Sequence, residues 1–329
     1  MLFAIGSAFA FGLSGPLAKA LMEAGWSPTA AVTARLLGGA VAMAAYATWR
    51  RPGWLREAVR HRRTVLAYGI VPIAGAQLCY YNAVSHLSVA VALLLEYTSP
   101  ILVVGWLWAT TRRRPSNLTM VGVALAVAGI MLVLGIFEGD GLSGARVNAV
   151  GVCWGLAAAV CAACYFMMSD EVSTNGVDDG GLNSITLAAG GLIVGAIGVA
   201  LLGTTGLLPL AFTTNDTVVA GITTSWLVPV IALALIPTAI AYLLGIMGIA
   251  RLRPRFASLV GLAEVMFAVL AAWALLGEAL TTIQGIGAVV VLAGLVLARQ
   301  GDRTEKVAEA SWPDMPADGV TTESDVRRS

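Results

Sequence analysis

The chain has 329 residues, 58% of them hydrophobic and only 12% charged, against roughly 25% charged in soluble domains. That balance excludes an ordinary soluble domain. The net charge of +1 gives no reason to expect nucleic acid as a partner.

Crossing a bilayer core of roughly 30 Å takes about 20 apolar residues. Ten such runs follow one another: 2–21, 28–49, 64–83, 88–110, 119–136, 148–168, 183–203, 226–248, 256–276 and 282–299, numbered here as spans 1 to 10. They predict an all-α polytopic membrane protein. Span 1 lacks the basic stretch of a signal peptide and is read as a retained helix. Cys79, Cys153, Cys161 and Cys164 fall within spans. With no second Cys/His pair to complete a zinc site, they read as buried free thiols, and no disulfide is expected.

Arginine in short loops sets the orientation. Loop 50–63 carries Arg50, Arg51, Arg56, Arg60, Arg62 and Arg63, loop 112–114 three more, and the loop after span 8 Arg251, Arg253 and Arg255. All fall on one side if both termini are cytoplasmic. The opposite side holds only Arg146, and acidic loop 169–182 dissents with little weight.

The chain also repeats. Pro72 and Pro237 lie 165 positions apart, Gly122 and Gly129 match Gly287 and Gly294 at the same offset, and Glu96 matches Glu264 at 168. This divides the chain into a first five-helix repeat (1–136), a linker (137–147), a second repeat (148–299) and a disordered cytoplasmic tail (300–329). Five is odd, so the second copy must enter the membrane inverted. The loop charges agree: the basic loops follow spans 2 and 4 in the first copy, but span 8, the third, in the second. Inverted repeats are the device by which many secondary transporters alternate access to a midplane site.

Ionisable groups inside spans are costly and mark function. Glu96 lies eight residues past Ser88 and Glu264 eight past Phe256, so each sits about 12 Å from opposite faces, about 6 Å apart along the normal. Each is a candidate proton or ammonium site, or else a protonated carboxyl bonded to a neighbouring helix. Arg35, at a depth of about 10 Å, can pair with Glu96, bind a substrate carboxylate, or snorkel. Lys19 is expected to snorkel and Glu278 to be interfacial. Ser14, Gln77, Tyr81, Tyr97, Trp154, Tyr165 and Tyr242 are candidates to complete a cavity, with Gln77 and Tyr81 on one helical face. Tyr80 and Asn82 are candidates too, although Tyr80 and Tyr81 lie near the outer end of span 3, where an aromatic belt accounts for at least one of them. Pro16, Pro72, Pro100 and Pro237 interrupt helical hydrogen bonding inside spans and are candidate hinges. There is no G-x-x-x-x-G-K-[ST] loop for ATP, no metal-ligand cluster and no nucleophile–base pair, so neither cofactor nor enzymatic activity is expected.

The stretch SVAVALLLEYTSPILVVGWLWATTRRRP, with Glu96 and Pro100, is similar to the fourth helix of the EamA branch of the drug/metabolite transporter superfamily. ASLVGLAEVMFAVLAAWALLGEALTTIQGIGAVVVLAGLVL is similar to its ninth and tenth. GPLAKAL, TARLLGG and VALLLEYTSP look most like the threonine/homoserine exporter subgroup. The resemblance implies proton-driven export of small amino acids or related metabolites across the inner membrane, with a small-molecule solute, protons and lipid as partners. The oligomeric state is left open. A broad exporter of apolar toxic compounds and a membrane sensor or assembly protein without flux are the alternatives. Where many relatives have proline after the helix-nine glutamate, this chain has Glu264-Val265.

Overall fold

The computed structural model describes residues 2–112, 114–134, 148–175, 182–241, 244 and 254–310. These are mostly helical, and five helical stretches are long and apolar enough to cross a membrane: Ile5–Glu23, Pro28–Arg50, Arg62–Val84, Val89–Thr110 and Ser184–Thr204. Five shorter apolar helices, Asn117–Val133, Ala149–Tyr165, Leu227–Ile240, Ala263–Leu276 and Thr282–Ala298, stand where the remaining spans are expected. Local chemistry starts several of them. Ser27, Ser88, Ser116 and Asn183 each cap a helix N-terminus, accepting a backbone N–H through the side chain, and Pro28 opens span 2.

Two expectations are corrected. A small β-hairpin, β1 (Thr217–Val219) paired antiparallel with β2 (Ile222–Thr224), precedes span 8, so the chain is not wholly α. Its turn residues Ala220 and Gly221 both have positive φ (54° and 74°), the conformation of a tight two-residue hairpin turn. The last helix runs on to Ala310, so 300–310 are helical where an unstructured tail was expected; residues 311–329 lie outside the described residues, as does the linker 137–147.

Four spans are interrupted near their middles. Span 1 is two helices, Leu2–Gly12 and Ser14–Glu23, with Pro16 just past the break. Pro72 and Pro237 each sit in a short π-helical segment, Gly69–Gly75 and Leu235–Ile240, because a proline without an N–H cannot continue the i→i−4 ladder. Span 4 breaks at Tyr97–Thr98 into Val89–Glu96 and Ser99–Thr111, with Pro100 in the first turn of the second helix. Span 9 runs unbroken from Pro254 to Leu276, consistent with valine rather than proline after Glu264.

Helix contacts repeat when the halves are exchanged. Span 1 packs on spans 8 and 9, and span 6 on spans 3 and 4; span 2 packs on span 7, and span 5 on span 10. In the last pair Gly122 faces Gly294 and Gly129 faces Gly287, so the two helices run antiparallel. A Cβ at Gly129 would stand 2.6 Å from Val291 N and 2.8 Å from Gly287 O. Glycine is what lets these backbones touch.

Loops expected to share a side meet. At one end Ser27 N bonds Ala211 O (3.0 Å), Trp26 Nε1 bonds Thr213 O (2.9 Å) and Ala220 N bonds Leu275 O (2.9 Å). Lys19, expected to snorkel, instead ion-pairs with Glu278 and donates to Leu87 O; Glu278 also accepts Val89 N, closing the N-terminus of span 4. At the opposite end Glu57 accepts Asn183 N and Thr186 Oγ1, both at 2.8 Å, and faces Arg51 Nε at 3.3 Å. Each end thus carries a carboxylate that fastens one half to a helix start in the other.

Two outcomes test this packing. Gly129→Val forces backbones apart and is expected to cost about 1–3 kcal/mol, whereas Gly198→Ala, whose added Cβ meets nothing within 4 Å, is neutral or stabilising by up to about 1 kcal/mol; thermal unfolding in detergent compares them. Burial pushes the Glu57 carboxyl up, but the Asn183 N–H, the Thr186 hydroxyl and Arg51 outweigh it and hold the group below its ordinary value of 4.5. Its contribution is therefore full above the ordinary carboxylate range and is lost as pH falls through the lowered value. Wild type should lose melting temperature more steeply than Glu57→Gln between about pH 5 and pH 3.

Candidate functional site

Six polar residues of spans 1, 2, 3, 4 and 9 meet at a cavity of about 50 Å³, lined by Ser14, Arg35, Gln77, Tyr80, Glu96 and Glu264 together with Phe11, Gly12, Leu93 and Ala268. That is room for a few waters. The break in span 1 admits Ser14 to it. Gly12 allows span 1 to lie against span 9: a Cβ there would stand 2.9 Å from Ala268 N and 3.1 Å from Glu264 O.

Arg35 is 2% exposed and is the hub. Its Nη1 donates to Ser14 Oγ (2.5 Å), Gln77 Oε1 and Tyr81 OH (3.0 Å). Nε donates to Thr238 Oγ1 and Nη2 to the Pro237 carbonyl, both at 3.1 Å. Gln77 and Tyr81 meet it from one helical face, as their spacing of four predicts. The guanidinium carbon lies 5.7 Å from the Tyr81 ring centroid. Snorkelling is thereby corrected, because a side chain this buried does not reach an interface. The pairing with Glu96 is corrected too: no ion pair joins them, although both line the cavity.

The partners on span 8 arise from Pro237. Its missing N–H leaves Leu233 O without the usual i→i−4 donor. The Thr238 hydroxyl donates to that oxygen at 3.2 Å and accepts from Arg35. Thr238 escaped the sequence reading, though a hydroxyl directly after an intramembrane proline was a usable signal.

The carboxylates differ. Glu264 Oε2 accepts the Tyr97 hydroxyl at 2.9 Å, a bond made possible by the turn at Tyr97–Thr98 that ends the first helix of span 4. Glu96 closes that helix, faces the cavity, and takes no hydrogen bond or ion pair from the described residues. Tyr80 is buried and lines the cavity, and Tyr81 is buried against Arg35, so neither belongs to an aromatic belt.

Other candidates stand away. Tyr165 packs on Tyr68 with ring centroids 5.7 Å apart, and Trp154 is half-buried against the core; neither lines the cavity. Tyr242 lies outside the described residues. Cys79, Cys153, Cys161 and Cys164 are free thiols, Cys153 exposed rather than buried, and no metal-holding cluster occurs among the described residues.

Residues 1–135 and 149–300 match the family model described as EamA-like transporter family. The chain belongs to the EamA-like transporter family. It is 28% identical over 281 residues to the threonine/homoserine exporter RhtA of Escherichia coli (strain K12), covering 83% of each chain. It is 27% identical over 313 residues to the uncharacterized transporter YwfM of Bacillus subtilis (strain 168), covering 94% of this chain and 97% of that one. A crystal structure at 21% identity superposes with a TM-score of 0.60, covering 92% of this chain and 99% of that chain, so the fold is shared. As an EamA-like transporter the molecule moves a small solute, and the cavity is its candidate site.

Arg35→Lys tests the hub. One ammonium cannot reach acceptors spread over three helices, so buried acceptors lose partners. A loss of about 2 kcal/mol or more is expected, read as a lower melting temperature in detergent.

Proposed function

We propose that this EamA-like transporter is a secondary active exporter of small amino acids or related metabolites, working by alternating access in a multi-pass inner-membrane protein with both termini cytoplasmic. Protons drive it. Glu96 holds either a proton or the ammonium group of the solute, and Glu264 assists, held in reserve by Tyr97. The observation that carries this reading is Glu96: a carboxylate inside a membrane helix, facing a polar cavity, with no partner among the described residues. A purely structural glutamate at that depth would be expected to spend its oxygens on a neighbouring helix.

The relation between halves supports the mechanism. Contacts that exchange between spans 1 to 5 and 6 to 10, antiparallel glycine seams and π-helical prolines 165 apart fit two inverted copies of one unit, the arrangement that permits rocking around a fixed site. The cavity's small volume means that loading needs movement, for which Pro16, Pro72, Pro100 and Pro237 supply softened helix segments. Arginine-rich loops at one end favour that end as cytoplasmic. The names of the exporter relatives favour amino acids as cargo. Two glutamates and an arginine in the cavity favour a polar solute over an apolar toxic compound.

Proteoliposome assays test this. Glu96→Gln is expected to lower proton-driven amino-acid flux by about tenfold or more, the scale of one lost charge-assisted bond, and Tyr97→Phe to change flux while leaving the protein folded. Unchanged flux in Glu96→Gln and Glu264→Gln, singly and together, removes the carboxylates from the mechanism.

A further inference from the structure

We propose that the cavity recognises its solute through a protonated amine and does not require a carboxylate on it; the proposal rests on the transport reading above and narrows the solute class. Arg35 is the cation lining the cavity, and four of its five N–H donors are already engaged. Nη1 faces three acceptors with two hydrogens, Nε is held by Thr238, and one Nη2 hydrogen goes to the Pro237 carbonyl. A carboxylate reads an arginine best through two parallel N–H bonds. Making such a fork here breaks at least one existing bond and leaves a buried acceptor unpaired, a cost of the same order as the charge-assisted bond gained. Ser14 offers no substitute, since its hydroxyl both accepts from Arg35 and lies 3.1 Å from Tyr81 OH.

The acidic side is the reverse case. Glu96 has acceptor oxygens without a partner among the described residues, and Glu264 commits one oxygen to the Tyr97 hydroxyl. An ammonium has three donors and no acceptor, so it meets what the cavity leaves open. The Tyr80 ring on the cavity wall suits a cation as well.

Proteoliposomes carrying labelled L-threonine separate the possibilities with two competitors. L-threoninol keeps the amine and replaces the carboxylate with an alcohol; N-acetyl-L-threonine keeps the carboxylate and blocks the amine. L-threoninol is expected to compete within about threefold of L-threonine, and N-acetyl-L-threonine to be at least about tenfold weaker. An inert L-threoninol alongside transported L-threonine overturns the proposal and leaves the amino-acid exporter standing. Absence of L-threonine flux defeats the exporter reading instead, and melting-temperature shifts of the purified protein then decide. A shift with L-threoninol, absent with N-acetyl-L-threonine and lost in Glu96→Gln, supports amine recognition; no shift with L-threoninol overturns it.

Discussion

A guanidinium that is 2% exposed in the interior of an apolar bundle must be surrounded by acceptors or it destabilises the fold by several kcal/mol. Arg35 meets this constraint with acceptors drawn from spans 1, 3 and 8, and each reaches it through a local feature of its own span. The kink after Gly12 presents Ser14, helical spacing presents Gln77 and Tyr81, and the π-helical turn at Pro237 presents a carbonyl and a hydroxyl. The arginine thus ties the first half of the chain to the second. It also helps fix where the cavity lies, because Ser14 and Gln77, which satisfy it, line that cavity together with Glu96 and Glu264.

The halves resemble each other in packing but not in chemistry. In the contacts that exchange between them, Gly39 meets Thr238 and Gly191 meets Ile73, so the hydroxyl beside Pro237 has an apolar counterpart beside Pro72. Span 4 breaks after its glutamate and span 9 does not. The break turns Tyr97 onto Glu264, leaving Glu96 as the carboxylate whose oxygens remain for something other than protein. A duplicated scaffold with one polar face is what a solute-binding membrane protein needs, since every further intramembrane charge requires its own set of partners.

Much of the scaffold was legible because lipid imposes simple rules. Apolar runs of about 20 residues mark helices, and every expected span coincides with an apolar helix. Pro72 and Pro237, read as interruptions 165 positions apart, each sit in a π-helical segment. Loops 24–27 and 211–213 meet at one end of the bundle, and Glu57 of the arginine-rich loop meets Asn183 at the other. The site was only partly legible. Depth along the helices brought Glu96, Glu264 and Arg35 to one level, and spacing of four put Gln77 with Tyr81. Depth carries no information on azimuth, so it leaves pairing with Glu96, a substrate carboxylate and snorkelling open for Arg35, whereas five acceptors on spans 1, 3 and 8 surround it. Tyr165 and Trp154 failed for the same reason: they sit on faces that pack against other helices. The hairpin at 217–224 is too short and too polar to register beside apolar runs of 20 residues.

By itself the sequence determined the membrane solvent, the positions of the apolar runs and the few ionisable groups that had to be sheltered, because each follows from hydrophobic length and from the cost of charge in hydrocarbon. Only the tertiary structure decided which sheltered groups satisfy one another. That choice depends on rotation of helices about their axes and on kinks at Gly12, Tyr97 and Pro237, which bring oxygens within hydrogen-bonding distance of Arg35 and leave those of Glu96 facing the cavity.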